Sequence, residues 1–505
     1  MADIQAMFHQ VKVTSKDINF LRFLWWPEGD IEQVLVEYRM TVHLFGAVSS
    51  PSCANYALRK NAEDNQSHFS SEVVSTIKCN FYVDDCLKSL SSEEEAVQMV
   101  QDLIHLCQKG GFNLSKWVSN SSTVLASIPV ENRAHEIKEF DLDKERLQLE
   151  RALGLQWFVH TDEFKFRITP QEQPQTRRGI LSVVSSLYDP LGFLSPFTLL
   201  AKFMLQDLCK RKYGWDEKIP QSFSQRWSVW QQGLEKIGEF KADRCFKPKG
   251  FGNLVNAELH HFSDASQEGY GTVSFLRLKN TDNQLHVAFI FGKARVAPLK
   301  QVTIPRMELT AAVLAVRVDR MLQKELQLPL QGSTFWTDST TVLKYLSNET
   351  SRFHTFVANR IATIREATEV EQWRYIGSKE NPADEASRGM KAENFLENKR
   401  WIQGPEFLSK SEDRWPKSDM DLSVISSDDP EVKRNLVVNS IIKDAENPTN
   451  YLIHYFSNWI KLKTAVAWFL KLKKLLKLLN EKRKEIQADF SITEKDPEKQ
   501  RTVLE

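Results

Sequence analysis

The sequence has few cysteines and lacks long apolar runs. Its six cysteines include no CxxC pair and show no regular spacing, which argues against both a zinc knuckle and a disulfide framework. No apolar run reaches the length of a membrane span, and the N-terminus has no hydrophobic region typical of a signal peptide. These absences predict an intracellular protein, cytoplasmic or nuclear, with no membrane partner.

The chain also lacks an overall charge of either sign. Its net charge is +1 over 505 residues, so any nucleic acid must be bound by local basic clusters and not by a whole-chain field. With 41% apolar and 26% charged residues, the composition is that of an ordinary globular protein. The length predicts two to four domains.

An adjacent pair of acids, Asp84 and Asp85, follows the apolar run 79–83. This run predicts a strand and Cys86-Leu87 its return, so the pair should lie at a hairpin turn. Neighbouring carboxylates repel unless cations neutralise them, and hard divalent cations take oxygen ligands. An Asp-Asp pair alone is more often a solvated turn. Asp3, between apolar residues at the start of the chain, adds a third acid on a predicted strand.

A second set of acids falls at the ends of predicted elements in residues 257–390. Asp264 ends the first of three antiparallel strands, and Glu308 lies in the first turn of a helix that Pro305 begins. Asp338 ends a later strand, and Asp384 lies at the start of the last helix. Any one of these acids alone is readily explained as a helix cap or a surface charge. Together, the four carboxylates are candidate ligands for hard divalent cations, which bind oxygen.

Basic residues suggest two further contacts, each with a simpler alternative. Arg177 and Arg178 precede a helix predicted to end before Pro190, and they are candidates for phosphate contact or for ordinary solvation. After Tyr451 the pattern predicts a basic helix with Trp468 and a leucine row on one face. That helix suits nucleic acid or a membrane surface, or a solvated bundle.

The order of motifs in residues 1–130 resembles the reverse transcriptase palm of LTR retrotransposons. The residues within these motifs are most similar to those of the BEL/Pao group. The resemblance implies that Asp3 and Asp84 hold two Mg²⁺ ions and that Asp85 supports them. It also implies that the partners are an RNA template, a DNA primer and deoxynucleoside triphosphates. By the same resemblance, Phe8 corresponds to the steric gate against a ribose 2′-hydroxyl. Phe45 and Gly46 correspond to the wall of the nucleotide pocket, and Lys116 to a lysine that donates a proton to the leaving pyrophosphate. Core packing is the alternative for Phe8, and a solvated surface position for Lys116.

Residues 257–390 resemble the ribonuclease H of retroelements, in the element order β-β-β-α-β-α-β-α and in the Asn-Pro-Ala-Asp context of Asp384. The resemblance implies that Asp264, Glu308, Asp338 and Asp384 hold two Mg²⁺ ions, with Mn²⁺ as an alternative, and that the substrate is an RNA–DNA hybrid. A histidine that often assists product release in the family has no counterpart between Trp373 and Asp384, and His354 is a candidate substitute.

The expected fold class is therefore a multidomain α+β and α/β protein. It would combine an antiparallel palm sheet with helices, an RNase H-like mixed sheet flanked by helices, and a helical C-terminal tail. The function expected is RNA–DNA hybrid hydrolysis beside a palm with weak or absent DNA synthesis, because two residues precede Asp3 where the family carries fingers. The alternative is a non-catalytic protein that binds nucleic acid or protein. The expected domains are a truncated palm (1–130), a thumb and connector (131–256), an RNase H-like domain (257–390), and a linker with a basic tail leading toward an incomplete integrase (391–505).

Overall fold

The computed structural model describes residues 1–134, 149–152, 155–166, 168, 173–417, 425–426, 428–433, 453, 455–456 and 458–493. Two compact units divide the chain, Met1–Lys433 and Arg434–Glu505. None of the helices in the described residues is both long enough and apolar enough to span a membrane.

The first 134 residues form a small antiparallel sheet covered by helices. Four strands pair in the order β4-β5-β1-β6, while β2 and β3 form a separate hairpin. The larger helices α1 to α3 pack their apolar residues against Ala2, Ile4 and Leu114 of the sheet. The elements are β1 (Ala2–Ile4), β2 (Arg22–Trp25), β3 (Val36–Arg39), α1 (Ser50–Asp64), α2 (Ser71–Cys79), β4 (Phe81–Tyr82), β5 (Asp85–Cys86), α3 (Glu93–Lys109), β6 (Leu114–Ser115) and α4 (Ser122–Ala126).

One strand prediction in this part was wrong in extent. The run 79–83 was expected to be one strand, but Cys79 ends helix α2, which Ser70 caps by accepting a hydrogen bond from the N–H of Val73. The helix therefore takes the apolar residues before Asn80, and only Phe81–Tyr82 remains extended. Strand β2 pairs with β3 alone, and every residue of both strands is exposed.

The middle of the chain contributes a second antiparallel sheet and three helices. The sheet runs β10-β9-β8-β7, and α5 ends at Ser186, before Pro190, as predicted. The elements are β7 (Leu149–Ala152), β8 (Leu155–Phe158), β9 (Glu163–Lys165), α5 (Arg177–Ser186), α6 (Ser195–Lys210), α7 (Gln221–Ile237) and β10 (Lys241–Asp243).

Arg177 and Arg178, the candidates for phosphate contact, both have protein partners. The Arg177 guanidinium donates a hydrogen bond to the backbone carbonyl of Tyr213 and stacks 4.3 Å from the centre of the Trp215 ring. Arg178 forms a bidentate ion pair with Asp216 at 2.6 and 3.0 Å. Their contacts hold the start of α5 to the loop that follows α6.

The third sheet is mixed and has the order β13-β12-β11-β14-β15. β11, β12 and β13 are antiparallel neighbours, whereas β14 and β15 run parallel to β11. The predicted order of elements is confirmed except that a further helix, α10, precedes the last strand. The elements are β11 (Leu254–Ala265), β12 (Gly269–Asn280), β13 (Leu285–Val296), α8 (Ile304–Glu325), β14 (Gly332–Thr337), α9 (Thr340–Ser347), α10 (Thr355–Arg365), β15 (Trp373–Tyr375), α11 (Ala383–Arg388), α12 (Ala392–Glu397) and α13 (Lys399–Gln403).

One hydrophobic core extends across the predicted domain limits at residues 256 and 390. It joins Phe197 and Trp227 of the middle helices to Phe275 of the mixed sheet and to Trp401 beyond α12. The indole N–H of Trp401 donates a 2.7 Å hydrogen bond to the backbone carbonyl of Phe193. Helices α5 to α7 and residues up to Trp415 are therefore packed as part of the same body as the mixed sheet.

The described part of the second unit is dominated by one helix, α14 (Trp459–Thr493). It is helical as predicted, and Trp468, Leu472, Leu475 and Leu479 lie on one face by their spacing. All four side chains are about half exposed or more.

Candidate active site

Three acids meet at one end of the mixed sheet because of strand direction. β11 and β14 are parallel neighbours, with Ser263 opposite Thr337. An aspartate follows each of them, Asp264 within β11 and Asp338 directly after β14, so both carboxylates emerge at the same level. Helix α8 packs across β11 and brings Glu308 to them. The carboxyl ends of parallel strands are a usual place for binding sites in such sheets.

The oxygens of these acids are close enough to share a cation. One ligand atom from each of Asp264, Glu308 and Asp338 lies within 4.8 Å of the other two. No other group of three histidine, cysteine, aspartate or glutamate ligands in the described part of the chain is this compact. The side chains of Asp264 and Glu308 are buried, while Asp338 is partly exposed.

Burial and mutual repulsion disfavour the ionised forms of two of these acids. Burial is the main cause that raises the pKa of Glu308 to about 9, and the charges of Asp264 and Asp338 add to it. Burial likewise raises the pKa of Asp264 to about 7, with Asp338 the next cause. When they are ionised, buried carboxylates at this distance repel one another, and a bound cation would remove that repulsion.

Two oxygens of the cluster are buried without a hydrogen-bond partner. They are Oε2 of Glu308 and Oδ1 of Asp338. Such buried acceptors are rare in proteins and call for an explanation. A carboxylate set with unsatisfied oxygens fits a hard divalent cation such as Mg²⁺ or Mn²⁺, which binds oxygen ligands.

Comparison with known proteins bears on this part of the chain. Residues 176–339 match the family model of the Pao retrotransposon-like RNaseH-like domain. This match, over about a third of the chain, supports a Pao-type retrotransposon RNase H. It begins at the residue that caps α5, well before the predicted limit at residue 257, and it includes Asp264, Glu308 and Asp338.

Solved RNase H structures also resemble the chain. RNase H1 from the halophilic archaeon Halobacterium salinarum NRC-1 is 12% identical, with a TM-score of 0.19, over 28% of this chain and 98% of its own. The N-terminal RNase H domain of rv2228c from Mycobacterium tuberculosis, solved as a fusion with maltose-binding protein, is 10% identical. Its TM-score is 0.19, over 26% of this chain and 91% of its own. No curated protein matches the chain.

The fourth acid of the predicted set, Asp384, lies beside the cluster but outside the compact group of three. Its charge contributes to the raised pKa of Asp264. Its carboxylate is held by an ion pair with Arg388, one helical turn later in α11. The guanidinium of Arg388 also interacts electrostatically with Asp264 and Asp338. Sequence reasoning missed this arginine, although its spacing of four residues from Asp384 was visible.

Two serines after strand β15, also missed, hold the central aspartates. The hydroxyl of Ser378 donates a 2.5 Å hydrogen bond to Oδ2 of Asp338. The hydroxyl of Ser387 donates to Oδ2 of Asp264. Each bond fixes the orientation of its carboxylate. Ser387 lies three residues after Asp384 in the same helix, α11, but Ser378 carries no signal in the sequence that separates it from a loop serine.

The three acids predicted for the palm also lie near one another. Asp3 on β1 is directly opposite Asp85 on β5, and the backbone carbonyl of Asp84 accepts a hydrogen bond from the N–H of Ile4. Burial is the main cause that raises the pKa of Asp85, followed by the charges of Asp84 and Asp3. Val83 occupies the turn with φ 59°, a strained value for a β-branched residue.

The other predicted palm residues are arranged around this turn in different ways. Lys116 forms a 3.1 Å ion pair with Asp3, so the sheet pairs it with a carboxylate. The rings of Phe8 and Phe45 are 5.9 Å apart. Phe8 packs partly against the core, whereas Phe45 is 87% exposed, and Gly46 has φ +87°, which favours glycine.

His354, the substitute proposed for the absent histidine, precedes helix α10. Its backbone N–H donates a 2.9 Å hydrogen bond to the carbonyl of Glu431. Its side chain is exposed, and a role in product release stays a prediction.

Proposed function

We propose that this protein hydrolyses the RNA strand of an RNA–DNA hybrid with divalent cations. The observation that carries the proposal is the compact group of Asp264, Glu308 and Asp338, two of whose oxygens are buried without partners. The match to an RNaseH-like domain over the same residues supports it. The unit responsible would run from Thr176 to about Trp415, because one core joins these residues.

In this proposal the acids bind the cations and the serines orient the acids. Mg²⁺ or Mn²⁺, when bound, would supply an activated water and stabilise the leaving oxygen of the phosphodiester. Asp264, Glu308 and Asp338 would hold the ions as carboxylates, which requires Glu308 to give up the proton that burial favours. Asp384 would join them after its ion pair with Arg388 loosens. Arg388 would then be available for a phosphate oxygen.

The palm-like sheet would form a second cation site. Asp3, Asp84 and Asp85 are the proposed ligands, and an RNA template, a DNA primer and deoxynucleoside triphosphates are the proposed partners. The facing positions of Asp3 and Asp85 support this arrangement. Primer extension on an RNA template tests it, and any synthesis by the wild type should be lost in Asp84→Asn.

The nuclease proposal is tested with the full chain and a hybrid whose RNA strand is labelled. We expect cleavage with Mg²⁺, none with EDTA, and a rate at least about 100-fold lower for Asp338→Asn, because the variant loses a cation ligand. Asp282→Asn is the matched control, since it makes the same change at an exposed turn. Single-stranded and double-stranded RNA should be poor substrates.

Equal cleavage by wild type and Asp338→Asn would overturn the proposal. Hybrid binding without cleavage under any divalent cation would instead favour a non-catalytic protein that binds nucleic acid.

A further inference from the structure

A row of arginines lies on helix α8 close to the acid cluster. Arg306, Thr310 and Arg317 share one face of this helix by their spacing. Arg360 of the neighbouring helix α10 joins them, since its Nε donates a 3.2 Å hydrogen bond to the hydroxyl of Thr310. Arg306 precedes the cluster residue Glu308 by two positions. Residues two apart leave a helix in different directions, so this positive charge lies at the same end of α8 as Glu308 but on another face of the helix.

An aromatic ring supports two of these arginines. The guanidinium carbons of Arg360 and Arg306 lie 3.4 and 5.1 Å from the centre of the Phe356 ring. Tyr345 of helix α9 is buried and adds a hydroxyl that can donate a hydrogen bond. Planar guanidinium groups and hydroxyls are the usual donors to backbone phosphates. We call Arg306 and Tyr345 together the candidate phosphate-binding surface.

An acidic segment of the same chain occupies this surface. Glu431 accepts two hydrogen bonds from Arg306, at 2.6 and 2.9 Å. Asp429 accepts the hydroxyl of Tyr345, at 2.9 and 3.0 Å to its two oxygens. Two carboxylates thus bind donors that a pair of phosphates could use, and Glu431 does so in the bidentate geometry that a guanidinium group forms with either anion.

Backbone contacts hold the segment in place beside α10. The carbonyl of Glu431 accepts a hydrogen bond from His354, and the N–H of Lys433 donates to the carbonyl of Arg352 at 2.7 Å. Val432 forms a single antiparallel bridge with Phe353. The side chain of Glu431 is 6% exposed, against 36% for Arg306. The segment is a short strap and not part of any of the three larger sheets.

A nucleic acid at the acid cluster must extend beyond it. Each strand of a duplex carries one phosphate for about every 3.4 Å of its axis, so several phosphates lie against the protein on either side of the scissile one. The start of helix α8 is a neighbouring surface with a positive helix end and a guanidinium group. In this structure that surface is taken by carboxylates.

We propose that Arg306 and Tyr345 bind backbone phosphates of the nucleic acid, and that Asp429 and Glu431 occupy this surface as an intramolecular competitor. The segment 428–433 then has to release Arg306 before a strand can engage fully. The identity of the nucleic acid as an RNA–DNA hybrid rests on the proposed function. The competition itself requires only that a polyanion binds.

The test compares Glu431→Gln with Asp428→Asn in the full chain. Asp428 lies in the same segment, and its exposed carboxylate makes no hydrogen bond or ion pair with any described residue, so both variants remove one negative charge. Every protein also carries Asp338→Asn, which prevents cleavage during the measurement. Binding of a fluorescent RNA–DNA hybrid is followed by anisotropy at several salt concentrations.

We expect Glu431→Gln to bind the hybrid about tenfold more tightly than Asp428→Asn, because one charged hydrogen-bonding group becomes free for a phosphate. The plot of log affinity against log salt should steepen by about one. Asp429→Asn should show a smaller gain in the same direction. Adding Arg306→Gln to Glu431→Gln should abolish the gain.

Equal affinities for Glu431→Gln and Asp428→Asn, with both proteins folded by circular dichroism, would overturn the proposal. A gain that survives Arg306→Gln would overturn it as well. If Glu431→Gln does not fold, Asp429→Asn decides by the same comparison with Asp428→Asn. A wild-type chain that fails to cleave, combined with the expected gain for Glu431→Gln, would refute the nuclease and leave the competition standing.

Discussion

Replacing Glu308 with glutamine should stabilise the cation-free protein at neutral pH. Burial is the largest cause that raises the pKa of this acid from its ordinary value of 4.5 to about 9. At pH values between 4.5 and about 9, the Glu308 carboxyl group is protonated in the folded protein and ionised in the unfolded chain. The free energy of unfolding therefore falls as the pH rises through this interval, and at neutral pH the Glu308 carboxyl group destabilises the folded protein.

The size of the effect follows from the same pKa. Each pH unit between the unfolded and folded pKa values corresponds to about 1.4 kcal/mol. From pH 4.5 to pH 7 the loss is about 3 kcal/mol for the single group, and at pH 5 it is below about 1 kcal/mol. Glutamine has the same shape and no charge, so the Glu308→Gln protein should be more stable than wild type by about 1–3 kcal/mol at pH 7.

Urea unfolding followed by tryptophan fluorescence, in EDTA at pH 5 and pH 7, measures this difference. Glu349→Gln is the control, because Glu349 is exposed and should give no change at either pH. Mg²⁺ should reduce the advantage of Glu308→Gln, since the cation stabilises only the site with an intact carboxylate. An equal advantage at both pH values, or a less stable variant at pH 7, would refute the reasoning.

Three other predictions follow from single contacts. Ser378→Ala should lower the hybrid cleavage rate about tenfold and raise the Mg²⁺ concentration needed for half-maximal rate, because Asp338 loses the donor that orients it. Arg244→Met should destabilise the protein by about 3 kcal/mol in urea, since it leaves the buried carboxylate of Asp162 without the guanidinium that binds it at 2.6 and 2.9 Å. Trp401→Ala should cost about 3–5 kcal/mol in the same assay, because its fully buried ring fills the core that joins the mixed sheet to the middle helices.

Controls for these variants use neighbouring or conservative changes. Ser378→Thr keeps the hydroxyl and should retain most of the cleavage rate, whereas a rate as low as that of Ser378→Ala would deny the hydrogen bond its role. Arg244→Lys keeps the positive charge but loses the paired N–H donors of the guanidinium group. Its urea midpoint should lie between those of wild type and Arg244→Met. If Trp401→Ala unfolds at the same urea concentration as wild type, the segment after residue 390 does not contribute to the stability of the core.

Much of the mixed-sheet region could be predicted from local patterns. Alternating apolar residues mark β11, β12 and β13, and Pro305 marks the start of α8, because such signals act between residues close in sequence. The acids at strand ends were visible for the same reason. The Cys79–Val83 strand was predicted wrongly because a capped helix competed for the same apolar residues.

The sequence by itself thus determined the order of the elements and the identity of the acids Asp264, Glu308, Asp338 and Asp384. Only the tertiary structure decided that the first three share a space within 4.8 Å. It alone also decided that Glu431 lies on Arg306. The physical reason is distance along the chain: these contacts join residues far apart in sequence, and strand direction and helix packing, which no local pattern encodes, bring them together.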